Sequence, residues 1–239
     1  MEHDLANIDV VILCGGLGTR LRSISEDLPK SLMPFAGRPF IEILMETLLP
    51  FGFKRFVLCV GHLREKIRAN FYKSHYDVVF SEEEDPLGTG GALKNAESAI
   101  RGSLFLVMNG DSICPVDFYR FYSFHRQKGG VLSLVLAKPQ AGQDYGVIEA
   151  DENQRIISFR EKKECSGTMF INGGIYFMQR DVFRHMPASN RFSLENDLFP
   201  KILSQGCYGY QEDTEVIDIG TPEKYLHALQ HLSVQNSLQ

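Results

Sequence analysis

The chain of 239 residues predicts an α/β fold: a three-layer sandwich with helices on both faces of a mixed, mainly parallel sheet. Three observations predict it. A run of aliphatic and β-branched residues at 8–13 ends in glycines. From there to residue 137, short apolar runs alternate with segments of helical period. Beyond residue 140, strand-like runs follow one another without long helices, a small β-rich insertion in the plan. The length suffices for one domain with a sizeable core, and no linker or low-complexity tract divides it.

Residues 8–13 read as a buried strand running into Cys14-Gly15-Gly16-Leu17-Gly18-Thr19-Arg20, with Leu28-Pro29-Lys30 shortly after. The glycines let the backbone turn with positive φ and bring bare N–H groups close to a ligand. Arg20 and Lys30 set two cations beside them. At the carboxyl end of a first strand, that combination makes a site for a polyphosphate. A Walker loop needs Gly-Lys-Ser/Thr where this chain has Gly18-Thr19-Arg20, and the third glycine of a dinucleotide fingerprint would fall on Leu21.

Residues 39–49 place Phe40, Ile43, Leu44 and Leu48 at helical spacing, with Pro39 suited to a first turn. A second strand at 55–60, a helix at 63–71 and a third strand at 77–80 continue the alternation. The acids Glu82-Glu83-Glu84-Asp85 read mostly as a solvated edge. Gly88, Gly90 and Gly91 then open a helix whose free N–H groups would meet a base or phosphate. The strand at 104–109 delivers Gly110-Asp111 to the carboxyl edge of the sheet, the plainer reading of Asp111 being an N-cap. The helix at 117–127 turns Phe118, Phe121, Tyr122 and His125 towards the core, ahead of a strand at 131–137. The β-rich part holds strands at 146–150, 155–160 and 169–178. Ser193 caps a further helix with Glu195 as its helix-start acid. A short strand then delivers Asp218, Gly220 ends it, and Thr221-Pro222-Glu223 starts a terminal helix.

Composition narrows the functional classes. With 44% hydrophobic and 23% charged residues the chain is an ordinary ordered protein. Its net charge of −5 argues against a nucleic-acid partner. No apolar run approaches the ~18 residues of a membrane span. Met1-Glu2-His3-Asp4 lacks the layout of a signal peptide, and the five cysteines form no C-x-x-C, so reduced thiols in a cytoplasmic protein are expected.

Taken together, Gly15-Gly16-Leu17-Gly18-Thr19-Arg20-Leu21 and Pro29-Lys30 resemble the signature of the sugar-1-phosphate nucleotidyltransferases. The resemblance runs over about residues 8–235. Leu87-Gly88-Thr89-Gly90-Gly91 resembles the family's base-pocket segment, where a carboxylate of the preceding acidic run or a backbone carbonyl would read the N1–H and N2–H donors of a guanine. Tyr145-Gly146-Val147-Ile148, Glu161-Lys162 and Asn172-Gly173-Gly174-Ile175-Tyr176 match its sugar-binding motifs in order, and Asp218-Ile219-Gly220-Thr221-Pro222 matches its Asp-x-Gly-Thr-Pro. It implies a Rossmann-like fold with a sugar-binding insertion and one nucleotidyltransferase domain: a nucleotide-binding half at about 8–140, a sugar-binding half at about 141–215, and a metal-ligand strand and helix at 216–239.

The resemblance also implies roles. Leu13, Gly15, Gly16, Gly18, Thr19, Gly88, Thr89 and Gly110 would bind the nucleotide, and Arg20, Lys30, Asp111 and Lys162 would be catalytic. Tyr145, Gly146, Glu161, Lys162, Asn172 and Gly173 would bind the sugar, and Asp111 and Asp218 would hold Mg²⁺. In the charged run Arg160-Glu161-Lys162-Lys163-Glu164, the plainer reading of Lys162 is a surface lysine. The implied reaction joins an NTP, GTP favoured, to a sugar 1-phosphate and releases pyrophosphate. The base segment, Phe192-Ser193-Leu194-Glu195 and the compact length resemble the stand-alone manno-heptose 1-phosphate guanylyltransferases, which make GDP-heptose for cell-surface polysaccharide. Mannose 1-phosphate as acceptor, uridylyl or cytidylyl transfer, and a non-catalytic sugar-nucleotide sensor are the competing readings. A glycosyltransferase would normally show Asp-x-Asp where this chain has Asn109-Gly110-Asp111. A homo-oligomer stays open. Several relatives continue into a β-helix, which this chain is expected to lack.

Overall fold

A computed structural model describes residues 5–21, 24, 27–139, 146–161 and 170–236; Tyr145 and Lys162 lie outside them. The elements are, in order, β1 (Asp9–Leu13), β2 (Pro34–Phe35), β3 (Arg38–Pro39), α1 (Phe40–Glu46), β4 (Arg55–Val60), α2 (Arg64–Phe71), β5 (Asp77–Glu82), α3 (Gly88–Asn95), β6 (Leu104–Asn109) and β7 (Ser112–Ile113). There follow α4 (Phe118–Lys128), β8 (Leu132–Ala137), β9 (Gly146–Ala150), β10 (Ile156–Glu161), β11 (Phe170–Gln179), α5 (Phe199–Ile202), β12 (Cys207–Gln211), β13 (Ile217–Asp218) and α6 (Pro222–Asn236). Among the described residues no helix is long and apolar enough to cross a membrane.

The central sheet runs β5-β4-β1-β6-β11-β8-β12. Strands β4, β5 and β6 are parallel to β1, β11 alone reverses, and β12 is parallel to β8. The β9–β10 hairpin branches off the start of β11, whose remaining length lies within the sheet. Alternation along each strand builds two cores. Val10 and Ile12, Phe56 and Leu58, and Leu106 and Met108 face α1, α4 and α6. Val11, Val57, Cys59, Phe105 and Val107 face α3, α5 and the turn before α5. Helices therefore cover both faces of a mainly parallel sheet, as the alternating pattern predicts.

The chain leaves β1 for β4 and β5 on one side and returns to β6 on the other. That reversal opens a crevice at the carboxyl ends of β1 and β6, where open α/β sheets bind ligands. At the opposite end, buried Asp9 Oδ2 lies 2.7 Å from Arg55 Nη1 and accepts from Arg101 N at 2.7 Å, tying β1 to β4 and to the chain before β6.

Several elements depart from the expectation. Helix α1 stops at Glu46, and Pro50 sits in a separate 3₁₀ turn, Leu49–Phe51, because proline cannot donate the bond that would continue the helix. Pro39 ends β3 and flanks α1 as its N-cap residue rather than sitting in its first turn. The short strands β2, β3 and β7 carry too few residues for a period to show. Strand β12 escapes because Gly209 and two half-buried tyrosines, Tyr208 and Tyr210, interrupt its apolar pattern.

Helix α4 presents Phe118, Phe121 and His125 to the core, with Tyr122 against Phe177. His125 is fully buried; its Nε2 faces the Gln179 amide nitrogen at 3.2 Å and its Nδ1 lies 2.8 Å from Ser133 Oγ. An amide nitrogen only donates, so Nε2 accepts and Nδ1–H donates to the hydroxyl. Burial, helped by Arg126, pushes the His125 pKa down from 6.5 to about 4. The unfolded chain thus binds a proton that the folded chain refuses between those values, and stability falls as pH drops from 6.5 towards 4. Urea titrations across that window should show a loss of up to about 3 kcal/mol from this residue, and His125→Gln should remove that component.

Candidate active site

Leu13, Gly15, Gly16, Lys30, Gly88, Thr89, Gly110 and Asp111 line one cleft of about 270 Å³ at the switch point. Gly18 adopts φ +58° in the loop. Thr19 and Arg20 stand exposed on the 3₁₀ turn Thr19–Leu21 that closes the loop. The Gly110 N–H donates to Leu13 O at 3.0 Å, and a Cβ on Gly110 would lie 2.7 Å from that oxygen. Only glycine lets the acidic turn after β6 come this near the loop after β1.

Beneath the loop lies one carboxylate of the acidic run. Glu83 is buried, and its carboxylate fills the space that a Cβ on either Gly15 or Gly61 would need. It accepts from Leu87 N at 3.4 Å, and desolvation raises its pKa above the usual carboxylate value against that bond. Glu82 behaves as the pattern predicts, paired at the surface with Arg64 and Arg68. The difference is the strand period: neighbours in an extended chain point to opposite sides.

The two aspartates meet through a two-residue ladder. Asp218 in β13 pairs with Ser112 in β7, and Ile219 N donates to Asp111 O at 3.0 Å. Each carboxylate carries a lysine: Lys30 Nζ lies 2.5 Å from Asp111 Oδ2, and Lys224 Nζ lies 2.6 Å from Asp218 Oδ2. A Cβ on Gly220 would lie 3.0 Å from Lys30 Nζ and 2.7 Å from Asp218 Oδ1, so the two pairs are neighbours. Asn109, which also lines the cleft, keeps its side-chain oxygen buried without a hydrogen-bond partner.

Strand β11 brings the β-rich part to this edge. Its register against β8 shifts between Asn172 and Tyr176, and a Cβ on Gly174 would lie 2.9 Å from Asn109 Nδ2. Asn172 Oδ1 accepts from Gly174 N at 2.9 Å, and its Nδ2 donates to Tyr176 OH at 2.8 Å. Gly173 is buried with Val135 and Cys114 against it. Gly146 lies in β9 and Glu161 ends β10, while Tyr145 and Lys162 fall outside the described residues.

The helix N-terminus at α3 corrects the expectation of free donors at Gly90 and Gly91. Gly90 N and Gly91 N both donate to Phe192 O, at 3.0 and 3.2 Å. These glycines admit a neighbouring chain: a Cβ on Gly91 would press on Asn190 O, and one on Gly90 on the Phe192 ring. Lys94 holds the same segment through Pro187 O at 2.8 Å and Ala188 O at 3.2 Å. Thr89 Oγ1 donates to Glu195 Oε2 at 3.0 Å and accepts from Leu194 N at 2.9 Å. Glu195 also accepts from Ser193 Oγ at 2.9 Å and Tyr176 OH at 3.3 Å. It is more than a helix-start acid: a polar chain runs Thr89–Glu195–Tyr176–Asn172, from the cleft wall to β11.

A glycine loop facing an acidic turn across a switch point, with lysines on both aspartates, defines an α/β protein built to handle a nucleotide. The chain belongs to the nucleotidyl transferase family, whose model matches residues 9–235. It is 34% identical over 228 residues to the D-glycero-alpha-D-manno-heptose 1-phosphate guanylyltransferase of Campylobacter jejuni, covering 93% of this chain and 99% of that one. It is 32% identical over 225 residues to the mannose-1-phosphate guanylyltransferase of Mycobacterium tuberculosis, covering 92% of this chain but spanning only 63% of that relative. The crystal structure of HddC from Yersinia pseudotuberculosis complexed with GMP-PN superposes with a TM-score of 0.80 at 35% identity, over 94% of this chain and 99% of that one.

The packing at α3 is directly testable. Gly91→Ala would set a methyl group against the Asn190 carbonyl and 2.8 Å from Leu87 Cβ. Chemical denaturation should register a loss of about 1–3 kcal/mol, the usual size for overpacking.

Proposed function

We propose that the protein joins GTP to D-glycero-α-D-manno-heptose 1-phosphate, giving GDP-heptose and pyrophosphate. The observation that carries this reading is the convergence of Asp111, Asp218 and Lys30 at the mouth of a glycine-lined cleft. The relatives named above support guanylyl transfer. The heptose acceptor is favoured by the relative that this chain matches over nearly its whole length.

Two substrate anions must meet in this cleft. A phosphate oxygen of the sugar 1-phosphate attacks the α-phosphorus, a new P–O bond forms, and the bond to pyrophosphate breaks. The nucleophile is already ionised at neutral pH, so no general base is required, and catalysis is positioning plus charge stabilisation. Lys30 leaves Asp111 for the α-phosphate, and Arg20, exposed at the end of the loop, steadies the departing pyrophosphate. Lys162 orients the sugar phosphate, with Tyr145, Gly146, Glu161, Asn172 and Gly173 around the sugar. Glu83 supplies the base preference: a carboxylate is acceptor-only, and guanine offers adjacent N1–H and N2–H donors. A guanine edge would also satisfy an anion that burial disfavours.

The donor set fits Mg²⁺, which takes oxygen ligands and is commonly held by one or two carboxylates plus substrate phosphates. Asp111 and Asp218 would hold it, and the neighbouring lysines show that the site already balances positive charge against both carboxylates. When bound, the ion neutralises charge on the reacting phosphates.

Pyrophosphate release with each NTP and a panel of sugar 1-phosphates tests the whole reading. GTP should exceed UTP and CTP at least tenfold, a gap of about 1.4 kcal/mol, with the heptose phosphate the best acceptor. Equal rates with every nucleotide would defeat the guanine assignment. Preference for mannose 1-phosphate would favour the second relative's chemistry over the first.

Arg20 and Lys162 serve different substrates and should separate kinetically. Arg20→Ala should cut kcat by orders of magnitude with little change in sugar-phosphate KM. Lys162→Ala should weaken the sugar phosphate by about 10- to 150-fold, the worth of a charge-assisted contact, while GTP binds normally by calorimetry. Loss of GTP affinity in Lys162→Ala would contradict that division.

A further inference from the structure

Lys224 belongs to none of the motifs that define the site, yet its ammonium is paired with one of the two aspartates. It lies in the first turn of α6, where Thr221 Oγ1 accepts the Lys224 N–H at 3.3 Å and Thr221 O accepts from Tyr225 N at 2.9 Å. A helix start carries partial positive charge and disfavours a cation. The compensation is Asp218, 2.6 Å from the ammonium, with both side chains only 25% exposed. The other carboxylate oxygen, Asp218 Oδ1, accepts from Gly220 N at 2.5 Å. Both oxygens of Asp218 are therefore engaged within the protein, one of them by a full positive charge.

We propose that Lys224 is the resident counter-cation of Asp218 and competes with a divalent ion for that carboxylate, so that it sets the metal affinity of the nucleotide-free enzyme. The inference rests on the reading of Asp111 and Asp218 as metal ligands. An ion arriving at Asp218 meets a like charge that must be displaced or endured, and in a partly buried site that repulsion is weakly screened. The four-carbon stem of lysine allows displacement, as the ammonium can swing to the anionic substrate that shares the cleft. The enzyme thereby takes up its metal poorly alone and well together with a phosphate-bearing partner.

The test is Mn²⁺ binding to the full chain without nucleotide, read from the free-ion signal by electron paramagnetic resonance. Lys224→Met, or Lys224→Gln if the first variant fails to fold, should bind Mn²⁺ about tenfold more tightly than the unaltered protein. Lys224→Arg keeps the charge and should stay within about twofold of it. Lys201, exposed on α5, controls for net charge, and Lys201→Met should change nothing. Unchanged or weaker binding in both Lys224→Met and Lys224→Gln would overturn the proposal, as would equal tightening in Lys201→Met. Asp218→Asn separates the two levels. If it leaves Mn²⁺ affinity untouched, the assignment of Asp218 as a metal ligand fails and this inference with it. If it weakens binding while the Lys224 variants behave as the unaltered protein, only the inference fails.

Discussion

One backbone hydrogen bond fixes the geometry on which the site depends. Gly110 N–H to Leu13 O, at 3.0 Å, locks the turn after β6 to the loop after β1. Parallel neighbours in a sheet align their carboxyl ends, but their connecting loops diverge unless something holds them. Here a residue without a side chain can come close enough to donate that bond, and the next residue, Asp111, is thereby presented to the glycine loop. The β7–β13 ladder then adds Asp218 to the same edge. The acidic part of the site thus owes its position to main chain, with side chains free for charge.

The other half of the architecture is a polar bridge. Glu195 accepts hydrogen bonds from Thr89, Ser193 and Tyr176, and Tyr176 in turn accepts from Asn172. Burial and the Glu195 charge raise the Tyr176 pKa, so its hydroxyl stays protonated and remains a donor. Two regions far apart in sequence are held in register by a single carboxylate. Such a network constrains best when every member is satisfied, and here each named group has a partner.

Most of the sheet was legible because its strands are buried on both faces and read as unbroken apolar runs. Strand β4 matches the expected 55–60, and β6 the expected 104–109. The glycine loop, Lys30, Asp111 and Asp218 stand in motifs of recognisable order, and the structure brings them to one edge of the sheet. Much of what stayed hidden depends on how the chain packs rather than on local pattern. The acidic run offered a carboxylate for the base without saying which, and only the pleat of the chain turns Glu83 inward while Glu82 stays at the surface. Gly90 and Gly91 looked like phosphate-facing donors, and only the approach of Phe192 shows what they admit. Lys224 stands in no motif, and only the turn between β13 and α6 sets it against Asp218, six residues back. For Gly90 and Gly91 the partner lies about a hundred residues on, where no short-range pattern reaches.

The β7–β13 ladder has a consequence for how the enzyme comes into being. Ser112 and Asp218 are paired in space but separated by nearly half the chain, and their strands hold only two residues each. Contacts of such long sequence separation and small area form late, after loop closure has been offset by the larger cores. During synthesis the sheet through β6 and the glycine loop can assemble while β13 has yet to emerge. A nascent molecule would therefore hold a formed glycine-loop cleft before it holds its second aspartate.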